Sequence, residues 1–298
     1  MILLDLGRNG VDMNTINLQC NNISAVINYH GAELRSLVKD GKEYMWQADP
    51  AFWNRTSPVL FPFVGAVSNG LYKYDGKEYK MGQHGFARDM DFELVKSDDS
   101  SCYFELSSNA ETKEKYPFDF KLGIGYELSD DGIKVMWDVT NTGEKYLEFS
   151  IGAHPAFNCI LNKTFIRISK NETPLNEYTN SVFGKGLLTH EKAKVTLDNG
   201  IMKLDENSFD HDAFVIENEQ TDKVEILDGK GNKVLGVSFD SPLVGIWSPP
   251  GKNAPFLCIE PWYGRADKEG FDGELKDREW NNTLEVGKKF SCSYTIEV

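Results

Sequence analysis

No two of the five cysteines (Cys20, Cys102, Cys159, Cys258, Cys292) form a CxxC pair or stand at zinc-ligand spacing. The usual sequence marks of a redox centre or a metal cage are therefore missing. Each cysteine sits among apolar or strand-like neighbours, so reduced structural thiols in a cytoplasmic protein are expected. Long hydrophobic runs are also lacking. The longest apolar-rich stretch, residues 58–67, is broken by proline and glycine and falls far short of the roughly 20 residues of a membrane helix. The opening MILLDLGRNG carries Asp5 and no small-residue cleavage site, so no signal peptide is expected. Positive charge is scarce, with 32 Lys and Arg against 46 Asp and Glu and a formal net charge of −14. Such a surface repels nucleic-acid backbones and anionic lipid, which argues against both as partners. P-loop, GxGxxG, HExxH and GxSxG motifs are absent, and GIGYEL at 123–128 lies within a strand pattern. That speaks against phosphate cradling, zinc proteolysis and serine hydrolysis.

What the chain does contain is strands and turns. Residues 16–29 read as one extended stretch, and the residues before them, 1–15, read as an ill-ordered extension. Asp40-Gly41 and Asp75-Gly76 read as hairpin turns. Phe120, Leu122, Ile124, Tyr126 and Leu128 alternate with polar or small residues, as do Ile133, Val135, Trp137 and Val139 after Asp130-Asp131-Gly132. With residues 146–151 beyond Asn141-Thr142-Gly143, they read as three consecutive antiparallel strands. Residues 171–207 read as longer loops with short strands. Strand patterns resume at 213–217, 223–227, 233–239 and 243–247, and the chain closes on one at 290–298. Helical periodicity is confined to single turns at 110–115 and 272–277. Of the 298 residues 40% are hydrophobic, ample for a core. The expectation is an all-β chain: one large antiparallel β-sandwich domain over 1–298.

Three titratable groups stand in similar settings. His84 in QHGFARD and His154 in GAHPAFN are each flanked by glycine or alanine and followed closely by an aromatic residue. Small neighbours let a ligand approach the backbone, and an aromatic ring offers a sugar a face to stack on. An imidazole titrates near about 6.5 and so exchanges protons at neutral pH. The structural alternative is a histidine hydrogen-bonded in the core or in a turn. Glu260 follows Phe256-Leu257-Cys258-Ile259 and precedes Pro261-Trp262, which reads as an acid at the end of an apolar strand. Burial there raises its pKa above about 4.3, toward the range of a general base. Its alternative is a buried ion pair with Arg55, Arg88 or Arg265. Asp210 and Asp212, in SFDHDAF, read as turn caps or ligand contacts. His190 and His211 lie in polar loops.

Taken together, Asn54-Arg55 before SPVLFPFVG, QHGFARD at 83–89, GAHPAFN at 152–158, WSPPG at 247–251 and IEPWYGRAD at 259–267 resemble the aldose 1-epimerases, galactose mutarotase-like proteins, in their shorter bacterial branch. The resemblance runs from about Ile16 to the C-terminus and implies a galactose mutarotase-type sandwich with a sugar in an open cleft on one sheet. It implies Glu260 as general base at the C1 hydroxyl, His154 as general acid at the ring oxygen, and His84 assisting there. Arg55 would bind sugar hydroxyls, as would Asp212 or Asp210, with Asp212 favoured for standing closer to its strand. Trp247 and Trp262 would form stacking walls. No metal or cofactor is implied; the partner is a small-molecule sugar substrate, and the protein is expected as a monomer or homodimer. A sister branch acts on hexose 6-phosphates, for which Arg88 and Arg265 are the candidate phosphate contacts. Two further readings stay open: a non-catalytic sugar-binding protein, and a glycoside-cleaving enzyme using Glu260 with Asp212.

Overall fold

A computed structural model describes residues 14–298. Thr15 already belongs to the strand Thr15–Cys20; the rest of the expected N-terminal extension, 1–13, lies outside the described residues.

Two large sheets carry the molecule. One is ten-stranded and antiparallel, with the strands Phe120–Ser129, Gly132–Asn141 and Lys289–Glu297 side by side at its centre. The other is eight-stranded and runs from the edge strand Leu188–Thr196 through Glu177–Phe183, Phe214–Ile216, Leu243–Trp247, Phe256–Tyr263 and Ile151–Ala153 to Val59–Leu60. Alternation decides what each sheet hides. Leu122, Ile124, Val135 and Trp137 of the first sheet share one buried apolar cluster with Val244, Ile246, Leu257 and Ile259 of the second. The two sheets thus form a sandwich around that cluster, each such side chain contributing roughly 1.5–3 kcal/mol of burial. A third, four-stranded sheet made by residues 15–43 packs its Leu18, Ile23, Ile27 and Leu37 onto the same core.

Because successive strand residues point to opposite faces, residues 257 and 259 go to that core. Phe256, Cys258 and Trp262 instead join smaller clusters on the other face of the eight-stranded sheet. Glu260 shares their side of the strand, in the middle of Phe256–Tyr263 rather than at the end the sequence pattern suggested.

Several expectations hold closely. The strands Lys223–Leu227, Lys233–Phe239 and Leu243–Trp247 fall where the pattern put them, and Ala110–Lys115 is a short helix capped by Asn109 and Thr112. In the second expected helical turn, only Leu275–Asp277 is helical, as a 3-10 turn.

Three expectations need correction. The extended stretch 16–29 is a hairpin, Thr15–Cys20 against Ile23–Asn28, turning at Asn21, whose φ of 48° asparagine tolerates well. The third of the three consecutive strands does not pair with the second. Leu147–Phe149 pairs with Asn282–Leu284, and Ile151–Ala153 crosses to the eight-stranded sheet. Every residue from 147 to 153 is buried, as suits a segment passing between two sheets, and Lys289–Glu297 takes the vacant place beside Gly132–Asn141. Within 171–207 lies a long hairpin, Glu177–Phe183 with Leu188–Thr196. The second strand is the sheet's edge and exposed along most of its length, so its lysines and glutamates hide the period-two pattern.

Candidate active site

The cleft-side face of Phe256–Tyr263 floors a cavity of about 420 Å³, within the range of small-molecule sites. Trp262 lies on this floor because a glycine on each adjoining strand, Gly152 opposite it and Gly245 opposite Glu260, leaves room for the indole. A Cβ at Gly245 would come within 2.4 Å of the indole, and one at Gly152 within 2.6 Å.

Each functional side chain reaches the cavity by a local device. Glu33 Oε1 accepts hydrogen bonds from the backbone of Thr56 and Ser57 at 2.9 and 2.8 Å, fixing the segment that carries Arg55. The Arg55 guanidinium donates to Asp89 at 2.7 Å. His84 stands where the chain returns from the Leu71–Tyr74/Lys77–Lys80 hairpin. Its φ of 67° is a left-handed conformation of the kind that concentrates at functional sites. Gly85 then runs against Phe61, whose carbonyl oxygen would lie 2.2 Å from any Cβ there. The Gly65 N–H donates to His84 Nδ1 at 3.1 Å while the His84 N–H donates to the Gly65 carbonyl at 2.9 Å. An accepting Nδ1 puts the proton of the neutral ring on Nε2.

His154 follows the strand Ile151–Ala153 and precedes Pro155. Its ring stacks on Trp53 at 4.7 Å, meets Trp247 edge-on at 5.3 Å and lies 5.5 Å from the His84 ring. His154 Nδ1 is 3.4 Å from Glu260 Oε1. Both residues are buried, at 7% and 2% exposure, and neither His154 Nδ1 nor Glu260 Oε2 has a hydrogen-bond partner. Buried polar atoms without partners are rare enough to ask for a ligand or a reaction.

The electrostatics follow from burial. Desolvation, then the nearby Asp212 charge, pushes the Glu260 carboxyl well above the usual carboxylate range, with Trp262 acting in the opposite sense. Burial, with Arg88 and Arg55 adding to it, lowers the His154 imidazole to about 3. His84 is pushed well below the usual histidine range by burial and then by His154, Arg88 and Arg55. Desolvation also raises Asp212, against its own bond from the Ala213 N–H at 2.8 Å and the side chain of Trp247.

Arg55, His84, His154, Asp212, Trp247, Glu260 and Trp262 therefore all line one cavity. Asp210 is not part of that lining, and Asp212, at φ 72°, is the one turned inward. The arginine partner that the alternative reading gave Glu260 is not found among the described residues. Arg55 and Arg88 meet Asp89 instead, and Arg265 meets Glu217 and Glu279. Of the two arginines considered for a phosphate, Arg88 lines the cavity while Arg265 is buried elsewhere with those two carboxylates. Trp53, Gln83 and Phe183 were missed. Trp53 and Gln83 adjoin motif residues Asn54 and His84, which was signal enough to find them. Phe183 arrives from a hairpin that the sequence disguised as loop.

This sandwich is the galactose mutarotase-like fold. It superposes on the structure of a galactose mutarotase related enzyme from Lactobacillus acidophilus with a TM-score of 0.89 and 32% identity, over 95% of this chain and 96% of that one. A galactose mutarotase-like protein from Lactobacillus casei gives 0.87 and 31%, over 95% and 99%. The aldose 1-epimerase family pattern matches residues 14–289, and the chain belongs to that family. It is also similar to Protein LacX, chromosomal, of Lactococcus lactis subsp. lactis, at 34% identity over 277 residues, 89% of this chain and 92% of that protein. Among the described residues no helix is long and apolar enough to cross a membrane.

Proposed function

We propose that the protein interconverts the α and β anomers of a free aldohexose by opening and reclosing the sugar ring. The observation that carries this is the contact between His154 and Glu260, buried without a counter-ion at the floor of an aromatic-lined cavity. Burial favours uncharged forms, so the couple holds one proton, resting on Glu260. With that proton on His154 instead, the Glu260 carboxylate takes the proton of the C1 hydroxyl as the His154 imidazolium gives one to the ring oxygen. The C1–O5 bond breaks, the aldehyde rotates about C1–C2, and the ring recloses on its other face with the proton roles reversed. Ring opening leaves the couple in its neutral, buried-stable form, so no proton need be exchanged with solvent. Positioned proton transfers of this kind contribute typically about 10²–10⁴-fold each. His84, protonated on Nε2, donates near the ring oxygen; Arg55 and Asp212 hold hydroxyls; Trp247 and Trp262 pack against the sugar.

Residues 1–298 are read as one unit. Its main sheets draw strands from both halves of the chain around a shared core. The five free cysteines fit a cytoplasmic setting. A second reading, epimerisation of a hexose 6-phosphate, is favoured by one observation: Arg88 lines the cavity with its Nε making no hydrogen bond and 3.8 Å from Asp89.

Polarimetry on freshly dissolved α-D-glucose and α-D-galactose tests the proposal, with wild type beside Glu260→Gln and His154→Asn. Acceleration by wild type and its loss in both variants is the expected result. No acceleration by folded wild type on either sugar would sink the free-hexose reading, and glucose 6-phosphate would then be tried.

A further inference from the structure

The side chains of His154, Cys258 and Glu260 each place one ligating atom within 4.8 Å of the others, and all three residues are buried. Cys258 and Glu260 stand two residues apart on one face of a strand, and His154 meets them from the neighbouring segment. Two of the ligating groups are unsatisfied, since His154 Nδ1 and Glu260 Oε2 lack hydrogen-bond partners. We propose that this trio is a site for a thiophilic divalent cation, and that Zn²⁺ bound there inhibits the protein by occupying its acid–base couple.

The geometry already suits the ion. Zinc bonds of about 2.0–2.2 Å to nitrogen and oxygen, at tetrahedral angles, place those two ligands about 3.3–3.6 Å apart. The observed separation of Nδ1 and Oε1 is 3.4 Å. Sulfur at about 2.3 Å from zinc belongs about 3.5–3.7 Å from each, a shift of at most about 1.1–1.3 Å from atoms that now lie within 4.8 Å of one another. Three protein ligands leave the fourth position open, on the side where His154 and Glu260 line the cavity. Imidazole, carboxylate and thiolate together suit Zn²⁺ far better than Mg²⁺ or Ca²⁺. The spacing that marks zinc sites in a sequence is absent because the ligands come from distant segments. Binding needs the thiolate and the carboxylate. A thiol is protonated at neutral pH, so each ion taken up displaces the Cys258 proton. Apparent affinity then rises with pH, by up to about tenfold per unit.

Binding does not depend on the epimerase reading; inhibition does. The test therefore starts with the metal alone. Full-length protein is titrated with Co²⁺, followed by absorbance, and with Zn²⁺, followed by calorimetry in buffers of different ionisation heat. Expected are one ion per chain, a thiolate-to-cobalt charge-transfer band in wild type, and release of at least one proton per Zn²⁺. The band is lost in Cys258→Ala and kept in Cys159→Ala, and Zn²⁺ slows mutarotation at least tenfold more in wild type than in Cys258→Ala. Absence of the band in wild type overturns the site whether or not the variants fold. So does its loss in Cys159→Ala, or release of no proton. If the band behaves as expected while Zn²⁺ leaves mutarotation unchanged, the inhibition is overturned and the site stands.

Discussion

Two buried groups of charge lie five residues apart on the same segment and have opposite characters. Arg265 is buried beside two carboxylates, its Nε 2.5 Å from Glu217 and its Nη2 in contact with Glu279. Arg278, over the ring of Phe63, donates from Nε to Asp267 at 2.6 Å and from Nη2 to the Arg265 carbonyl at 2.9 Å. There each cation meets an anion, and the network pins the loop after Phe256–Tyr263. Glu260 has no such partner: its neighbour is a histidine that burial keeps neutral. Compensated charge in a core builds architecture; uncompensated charge in a cavity is held ready for a proton, which is why strongly perturbed groups cluster at functional sites.

The sharpest way to break this contrast is to neutralise the uncompensated acid. Glu260→Gln should lower kcat for mutarotation by about 10²–10⁴-fold while leaving the melting temperature unchanged or higher, because an isosteric amide removes no paired partner. Polarimetry and thermal unfolding on the same preparation check both halves. The opposite experiment strips compensation from the structural network. Arg265→Met should cost up to about 3 kcal/mol of stability by taking the buried partner from Glu217 Oε1 and leaving that carboxylate with Lys192 alone, at 3.2 Å, with the activity of the remaining folded protein largely kept. Urea titration reads it.

A smaller effect separates two neighbouring aspartates. Asp212→Asn should lower kcat/KM by roughly 10- to 100-fold, the worth of about 1.5–3 kcal/mol for a hydrogen bond to a charged group. Asp210→Asn, outside the cavity, should change stability by no more than about 0.5 kcal/mol and leave kcat/KM as it is. Equal losses in the two would undo the placement of Asp212. Smallest is a pH signature in stability. The folded-state pKa of His154, about 3, lies below its ordinary value of 6.5. The unfolded chain therefore binds the extra proton between those limits, and wild type loses stability through this group as pH falls from about 6.5 to about 3. Above that window the group contributes nothing. His154→Asn should lack this component, so chemical denaturation at pH 7 and pH 4 should show the variant losing less.

Local pattern was enough for much of this molecule. Alternation announced the strands at 120–128 and 133–139, because a strand with one face in the core must repeat every two residues. The motifs around Arg55, His84, His154 and Glu260 marked the cavity-lining residues, because a ligand site needs small neighbours and aromatic walls beside its titratable groups. Where both faces are buried, as at 147–153, or both exposed, as along Leu188–Thr196, the period disappears. Pairing across the sheets was equally illegible, since the last strand of the chain takes a place that sequence order would give to residues 146–151. The sequence by itself determined the all-β character, the family and the residues around the cavity. Only the tertiary structure decided that Asp212 turns inward rather than Asp210, that Arg265 belongs to an ion-pair network, and that Cys258 lies beside His154 and Glu260. Those are matters of which distant segments meet, and contacts between distant segments leave no period in a sequence.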